Sequence, residues 1–161
     1  MRLAVVSDTH GQLAYTAAAV KLISSHGAQV VLHCGDIGST DIVPLFAEWP
    51  THFVFGNVDY DTAELSQAIH EAGQTCHDRF GTLQLEGTEI AFLHSDDQSR
   101  FQATIDSGEY DLVCYGHTHV PRQHRVGKTL VLNPGALFRA TPHTIALVEL
   151  PALEVQHITV A

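Results

Sequence analysis

The chain has 161 residues, of which 45% are hydrophobic and 16% charged, and its formal net charge is -10 with eight Lys plus Arg. That length fits one domain, residues 1–161, able to bury a substantial core, and the composition is that of a globular chain and not a disordered one. The acidic balance argues against a broad nucleic-acid footprint, which needs clustered positive charge. No apolar run approaches the roughly 20 residues that span a bilayer.

Leu3–Ser7 reads as a first strand and ends in Asp8-Thr9-His10. Leu13–Ser25 carries Ala17, Val20, Leu22 and Ile23 at helical spacing, with Gly27 as a C-cap candidate. Strand Gln29–His33 leads to Gly35-Asp36, and a short helix near Ile42–Ala47 follows the capping candidates Ser39-Thr40-Asp41. Beyond Pro50, strand His52–Phe55 leads to Gly56-Asn57, and a helix over Thr62–Ala72 stops at Gly73.

The second half changes character. Leu83–Glu86 and Glu89–Leu93 flank Gly87-Thr88, a two-residue hairpin signal, and the second run leads to His94. A helix over Gln98–Asp106 precedes strand Asp111–Tyr115, which leads to Gly116-His117-Thr118-His119. Gln123–Val126 and Thr129–Leu132 bracket Gly127-Lys128 as a second hairpin, and two strands near Thr144–Glu149 and Leu153–Val160 are joined through Pro151. A strand-helix half followed by a hairpin-rich half predicts two packed sheets with helices outside. The first strand begins almost at Met1 with no leader pattern, so a reducing cytoplasm is the default location. Cys34, Cys76 and Cys114 show no metal-type spacing, and Cys34 and Cys114 lie in apolar strand patterns that predict buried thiols.

Five strand-like runs each end in a metal-type ligand, which predicts one site along the rim of a sheet. In Asp8-x-His10 and His117-x-His119 an extended backbone would point both members of a pair the same way. Taken singly, each piece has an ordinary reading as a cap, a turn or a core histidine. In order they form a set of seven: Asp8, His10, Asp36, Asn57, His94, His117 and His119. Seven ligands exceed what one ion takes, so two ions sharing a carboxylate account for them, with Asp36 as the natural bridge. Imidazole and carboxylate without thiolate suit manganese, zinc, iron, cobalt or nickel. Gly35 and Gly116 would let the backbone turn tightly beside such a site.

This motif set resembles that of the calcineurin-like metallophosphoesterase family. The chain length, the first strand Leu3–His10 and the later Asn133-Pro134-Gly135 are similar to its small bacterial and archaeal phosphodiesterase branch. The resemblance implies an α/β fold, a four-layer α/β/β/α sandwich of two mixed sheets flanked by helices. It implies two divalent metal ions, manganese first with nickel, cobalt, zinc or iron as alternatives. Asp8, His10 and His119 would hold one ion, Asn57, His94 and His117 the other, and Asp36 both. A hydroxide between the ions would attack phosphorus in line, so the implied reaction is hydrolysis of small phosphate esters, phosphodiesters ahead of monoesters. Asp36, His117 and Asp59 are the catalytic candidates, Asp59 by positioning a metal-binding histidine. Asn57, Asp96 and Arg139 are the substrate-contact candidates, Arg139 because a guanidinium binds phosphate oxygens bidentately. Membrane and nucleic-acid partners are not expected, and a homo-oligomer is compatible with the family. The family also includes a retromer-type subunit, so a non-catalytic assembly scaffold is the alternative.

The chain departs from the family pattern twice. Val58 stands where many relatives carry a histidine that serves the leaving oxygen, which predicts a preference for esters with good leaving groups. His94-Ser95-Asp96 stands where relatives read His-Gly-His, leaving Asp96 either toward the substrate or on the surface and Asp97 solvated. His26, His52, His70, His77, His124, His143 and His157 read as surface or structural, and Asn133-Pro134-Gly135 as a turn near the site.

Overall fold

The computed structural model describes Met1–Ala161 and contains one six-stranded and one five-stranded sheet. The first half supplies β1 (Arg2–Val6), α1 (Leu13–Ser25), β2 (Val30–His33), a 3₁₀ helix (Thr40–Phe46), β3 (Thr51–Phe53), α2 (Thr62–Glu71) and β4 (Thr75–Cys76). The second half supplies β5 (Phe80–Leu85), β6 (Thr88–Leu93), α3 (Gln98–Asp106), β7 (Leu112–Cys114), β8 (Arg122–Val126), β9 (Thr129–Asn133), β10 (His143–Glu149) and β11 (Glu154–Val160).

The first sheet runs β11-β10-β1-β2-β3-β4, with β1 to β4 parallel and the last two strands antiparallel. The second runs β5-β6-β7-β9-β8, with β6, β7 and β9 parallel between antiparallel edge strands. Both sheets are mixed. The central parallel strands are buried along their length, as sheets covered on both faces require. Leu3, Val5, Leu32, Phe92, Cys114, Leu132 and Val148 fill the layer between the sheets. Ala19, Ile23, Ile42, Phe46, Leu65 and Ile69 pack α1, the 3₁₀ helix and α2 on the outer face of the first sheet. Ile105 of α3 packs with Val113 and Val131 on the second. The layers are therefore helix, sheet, sheet, helix, the expected sandwich. No helix is long and apolar enough to cross a membrane.

Local chemistry explains most boundaries. The predicted spans Leu13–Ser25 and Gln98–Asp106 match α1 and α3, and Gly27 follows α1 with φ +68°. The predicted helix at Ile42–Ala47 is a 3₁₀ segment starting two residues earlier, where Ser39 accepts the Asp41 N–H at 3.2 Å; Pro44 inside it supplies no N–H for a longer α-helix. The first hairpin turns on Glu86-Gly87, one residue before the predicted pair, because Leu85 faces Thr88 and both turn residues have positive φ. The second turns on Gly127-Lys128 as predicted. The two-residue strand β4 was not predicted, being too short to carry a periodic signal. Edge strand β8 is largely exposed and carries Arg122 and Arg125, charges that discourage pairing with another chain.

Candidate metal centre

In the first sheet β1, β2 and β3 run parallel, so the segments holding Asp8, Asp36 and Asn57 leave from one rim. In the second sheet β6 and β7 do the same for His94 and His117–His119. The site is thus built across the adjoining rims of two sheets, which corrects the expectation of one sheet's rim. Main-chain bonds continue beyond the strands: Asp8 N–H to Gly35 O at 3.0 Å, His10 N–H to Asp36 O at 2.9 Å and Gly116 N–H to His94 O at 3.2 Å.

Two clusters of ligand-type atoms result, Asp8 with His10 and His119, and Asp36 with His94 and His117, the atoms of each lying within 4.8 Å of one another. The clusters are contiguous. Asp36 Oδ2 lies 3.3 Å from His10 Nε2 and 3.0 Å from His94 Nε2, so it stands between the two groups. Asp8 Oδ1 lies 3.1 Å from His119 Nε2 and 3.5 Å from His10 Nε2. Asn57 is exposed, and the N–H groups on either side of it are fixed, Gly56 to Asp59 Oδ2 at 2.8 Å and Val58 to Asp36 Oδ1 at 3.0 Å.

The pairs do not sit on extended backbone. Asp8, His10, Asp36, His117 and His119 have φ of 54°, 44°, 55°, 72° and 63°. They are five of the ten non-glycine residues with positive φ, a conformation costing about 1–2 kcal/mol per residue. The left-handed turns separate side chains that an extended strand would align, so His117 and His119 enter different clusters. Two glycines make the packing around these turns feasible. A Cβ on Gly35, at φ +98°, would lie 2.9 Å from His94 Nδ1 and 2.8 Å from Gly56 N. A Cβ on Gly116 would collide with Ser7 Oγ and lie 2.7 Å from Asp8 Oδ2.

Neighbouring groups aim the ligand atoms. Asp8 Oδ2 accepts the Ser7 hydroxyl at 2.6 Å and the His117 N–H at 3.0 Å, leaving Oδ1 for the cluster. His94 Nδ1–H donates to Cys34 O at 2.8 Å, which presents Nε2. His119 Nδ1 faces Arg139 O at 3.4 Å. The His10 ring stacks on Phe138 with centroids 4.4 Å apart. Asn133 Nδ2 donates to Gly116 O at 3.1 Å and Thr118 Oγ1 at 3.0 Å, while its Oδ1 accepts the Gly135 N–H, so the Asn-Pro-Gly turn ties down the His117–His119 segment.

Asp8 Oδ1, His10 Nε2 and His94 Nε2 are buried without a hydrogen-bond partner. Buried polar atoms are rarely left so, and a divalent cation is the partner their chemistry fits, since imidazole nitrogen and carboxylate oxygen are its common donors. The protonation pattern agrees. Burial raises the Asp8 carboxyl, but His10, His119, His94 and the Ser7 hydroxyl outweigh it and hold the group well below the usual carboxylate range. Asp36 behaves likewise, burial being outweighed by His10, His94 and the Val58 N–H. Burial lowers His10, but Asp36 and Asp8 push it up to about 9. His94 is raised by the same carboxylates against burial, and His119 chiefly by Asp8. Two anions attract positive charge here, and a bound metal displaces the protons.

The remaining candidates fall out differently. Asp59 makes its hydrogen bonds to main-chain N–H groups and none to a histidine. It is 2% exposed and accepts the N–H groups of Ile37 (3.2 Å), Gly38 (3.0 Å) and Gly56 (2.8 Å), so it fastens the Asp36 turn to the Asn57 turn. Its expected histidine-positioning role is corrected accordingly: the acid sits among main-chain donors and not beside an imidazole. Asp96 is exposed and lines a small hollow with Arg79 and Arg100, while Asp97, expected only to be solvated, caps α3 by accepting the Arg100 N–H at 3.0 Å. The exposed Arg139 places its guanidinium over Phe138, 5.0 Å from the ring centroid. Outside the site, His52 bonds His77 at 2.8 Å and His157 bonds Asn133 O at 2.8 Å, both structural. Cys34 and Cys114 are buried thiols pushed above their ordinary value by burial.

Sequence reasoning missed His33, Ser7 and Phe138. His33 is fully buried; its Nδ1 accepts the Gly35 N–H at 3.2 Å, so Nε2–H donates to Thr9 Oγ1 at 3.0 Å, and Thr9 donates on to Ile37 O. A histidine closing an apolar run just before Cys-Gly-Asp was the available signal.

The sequence profile of the calcineurin-like phosphoesterase superfamily domain matches residues 1–152. The chain belongs to that family. It is 29% identical over 138 residues to a phosphodiesterase of Methanocaldococcus jannaschii, covering 84% of this chain and 83% of the relative. The solved structure of an archaeal phosphodiesterase superposes with a TM-score of 0.91 at 27% identity, covering 99% of both chains. Vps29 of Chaetomium thermophilum shares the fold, with a TM-score of 0.73 at 13% identity over 99% of this chain and 95% of that one.

Two outcomes test the site. Gly116→Ala is expected to weaken Mn affinity on the order of 10- to 100-fold by displacing Ser7 and Asp8, read by calorimetric titration with circular dichroism as the folding control; unchanged affinity would mean the carboxylate yields at no cost. His33, lowered by burial from 6.5 to about 3, governs an acid response. Between those values the unfolded chain binds the proton and the folded chain does not, so this contribution is complete above about pH 6.5 and is lost as pH falls toward 3. Urea midpoints of metal-stripped protein should therefore fall more steeply with acidification in the wild type than in His33→Gln; parallel curves would refute it.

Proposed function

We propose that this chain is a metal-dependent phosphoesterase that hydrolyses small phosphodiesters. The observation that carries the proposal is the set of orphaned, buried ligand atoms, Asp8 Oδ1, His10 Nε2 and His94 Nε2, where five strand ends converge. Asp8, His10 and His119 would hold one ion, Asn57, His94 and His117 the other, and Asp36 both. Two divalent ions, when bound, supply the activated water and the positive charge that phosphoryl transfer needs.

The chain's own groups do the rest. The Ser7 hydroxyl and the His117 N–H occupy Oδ2 of Asp8 and leave Oδ1 directed to the cluster. The Cys34 carbonyl holds the proton of His94 on Nδ1 and so leaves Nε2 as donor. Asp36 keeps one oxygen on the Val58 N–H and turns the other between His10 and His94. Asp59 sets the separation of the Asp36 and Asn57 turns. Arg139, beside His119, is a candidate for the substrate's phosphate oxygens, as is Asn57; Asp96, an exposed acid, would serve a hydroxyl and not the phosphate. Val58 presents no acid or base to the leaving oxygen, so the ester must depart largely on its own acidity. The scaffold alternative is less favoured, because every ligand-type position of the motif set is present.

Metal-stripped protein should regain hydrolysis of bis(p-nitrophenyl) phosphate on adding Mn, Ni, Co, Zn or Mg, with Mn foremost, and Asp36→Asn should lower kcat on the order of 10³-fold. No metal-stimulated hydrolysis of any aryl phosphodiester would favour the scaffold. Aryl esters should exceed alkyl esters in kcat/KM by about 10²-fold or more, the contribution a general acid would otherwise make; equal rates would mean that another acid serves the leaving group.

A further inference from the structure

Tyr60 is 87% exposed, the most exposed of the large hydrophobic side chains. The backbone on both sides of it is fixed. Asp59 is anchored on three main-chain N–H groups, and Asp61 caps α2 by accepting the Glu64 N–H at 3.0 Å. The ring is thus held out in water by a loop with little freedom to withdraw it.

Tyr60 borders a cleft of about 230 Å³ whose lining includes Gly38, Val58, Asp61, Glu64 and Leu65. Two sides of this cleft are the ligand-bearing turns themselves. Gly38 lies two residues beyond Asp36, and Val58 follows Asn57 with its N–H on Asp36 Oδ1. An ester whose phosphorus sits at the ligand cluster therefore has this cleft beside it.

The lining has a distinct chemistry. Val58 and Leu65 are apolar, Tyr60 offers an aromatic face, and Asp61 and Glu64 are exposed carboxylates. No Lys or Arg lines it. Of the arginines of this rim, Arg79 and Arg100 line the hollow beside Ser95 and Asp96, with Arg79 also donating to Gly56 O at 3.4 Å, and Arg139 lies over Phe138. A second phosphate on the alcohol would meet like charge in the cleft, whereas an ammonium would meet both an aromatic face and opposite charge.

We infer that this cleft holds the alcohol that stays on phosphorus while the more acidic ester group departs, and that this retained alcohol bears an ammonium, with Tyr60 covering the ammonium and Asp61 and Glu64 supplying countercharge. The inference rests on the phosphodiesterase reading above and narrows its substrate class to phosphodiesters that join a retained amino alcohol to a more acidic leaving group.

The experiment uses the metal-loaded full chain and two p-nitrophenyl esters, one of phosphocholine and one of its uncharged isostere, in which a tert-butyl group replaces the trimethylammonium. Bis(p-nitrophenyl) phosphate serves as the reference. At low salt kcat/KM should favour the choline ester by about tenfold. The ratio should fall toward one in Tyr60→Ala and in Glu64→Gln and be kept in Tyr60→Phe, with circular dichroism establishing that each variant folds. Equal kcat/KM for the two esters, or a ratio unchanged in both Tyr60→Ala and Glu64→Gln, overturns the subsite while leaving the phosphodiesterase reading intact. Failure to hydrolyse any of the three esters with any metal overturns both.

Discussion

A carboxylate with no exposed surface is among the more expensive things a fold can hold, and Asp8 is 0% exposed with Asp36 at 3% beside it. Much of the local architecture answers that burden. The Ser7 hydroxyl and the His117 N–H serve one oxygen of Asp8, the Val58 N–H serves one of Asp36, and three imidazoles crowd the remaining oxygens. These groups come from both sheets, so the compensation exists only when the sheets are packed face to face. The inter-sheet layer of Leu3, Leu32, Phe92 and Leu132 is thereby coupled to the polar cluster at its rim.

Much of this was legible in the residues. The order Asp-x-His, Gly-Asp, Gly-Asn, His, Gly-His-x-His, each behind an apolar run, located the cluster and the layered fold, because parallel strands must release their ends on one side. Helices α1 and α3 were readable to the residue, since periodicity and flanking turn signals agreed. The geometry of the turns was not readable. Nothing in Asp8-Thr9-His10 announces left-handed φ values, which arise from tertiary bonds such as His10 N–H to Asp36 O. Asp59 shows the same limit: its spacing after Asn57 suggested a partner for an imidazole, whereas three main-chain donors claim it. Those donors come from two separate turns, a convergence that no local pattern encodes.

Phe138 and Tyr60 illustrate a different gap. Each is an aromatic in a loop with no periodic context, so sequence alone ranks neither above a surface residue. In the fold one stacks on His10 and the other projects beside the Asp36 and Asn57 turns. Their placement gives the cluster unlike flanks, with an arginine backed by an aromatic near His10 and His119, and an aromatic with carboxylates near Asn57. Such asymmetry is where members of a family with one metal chemistry can differ in the esters they accept.

The three-amide anchor of Asp59 also bears on how the molecule breathes. Surface turns without regular structure are ordinarily the first parts of a protein to open, independently and at little expense. Here the segments after β2 and β3 share one buried acid, so neither can peel away without stranding a charge among apolar neighbours. Their opening is consequently shared, since releasing either turn strips hydrogen bonds from the acid that fastens the other.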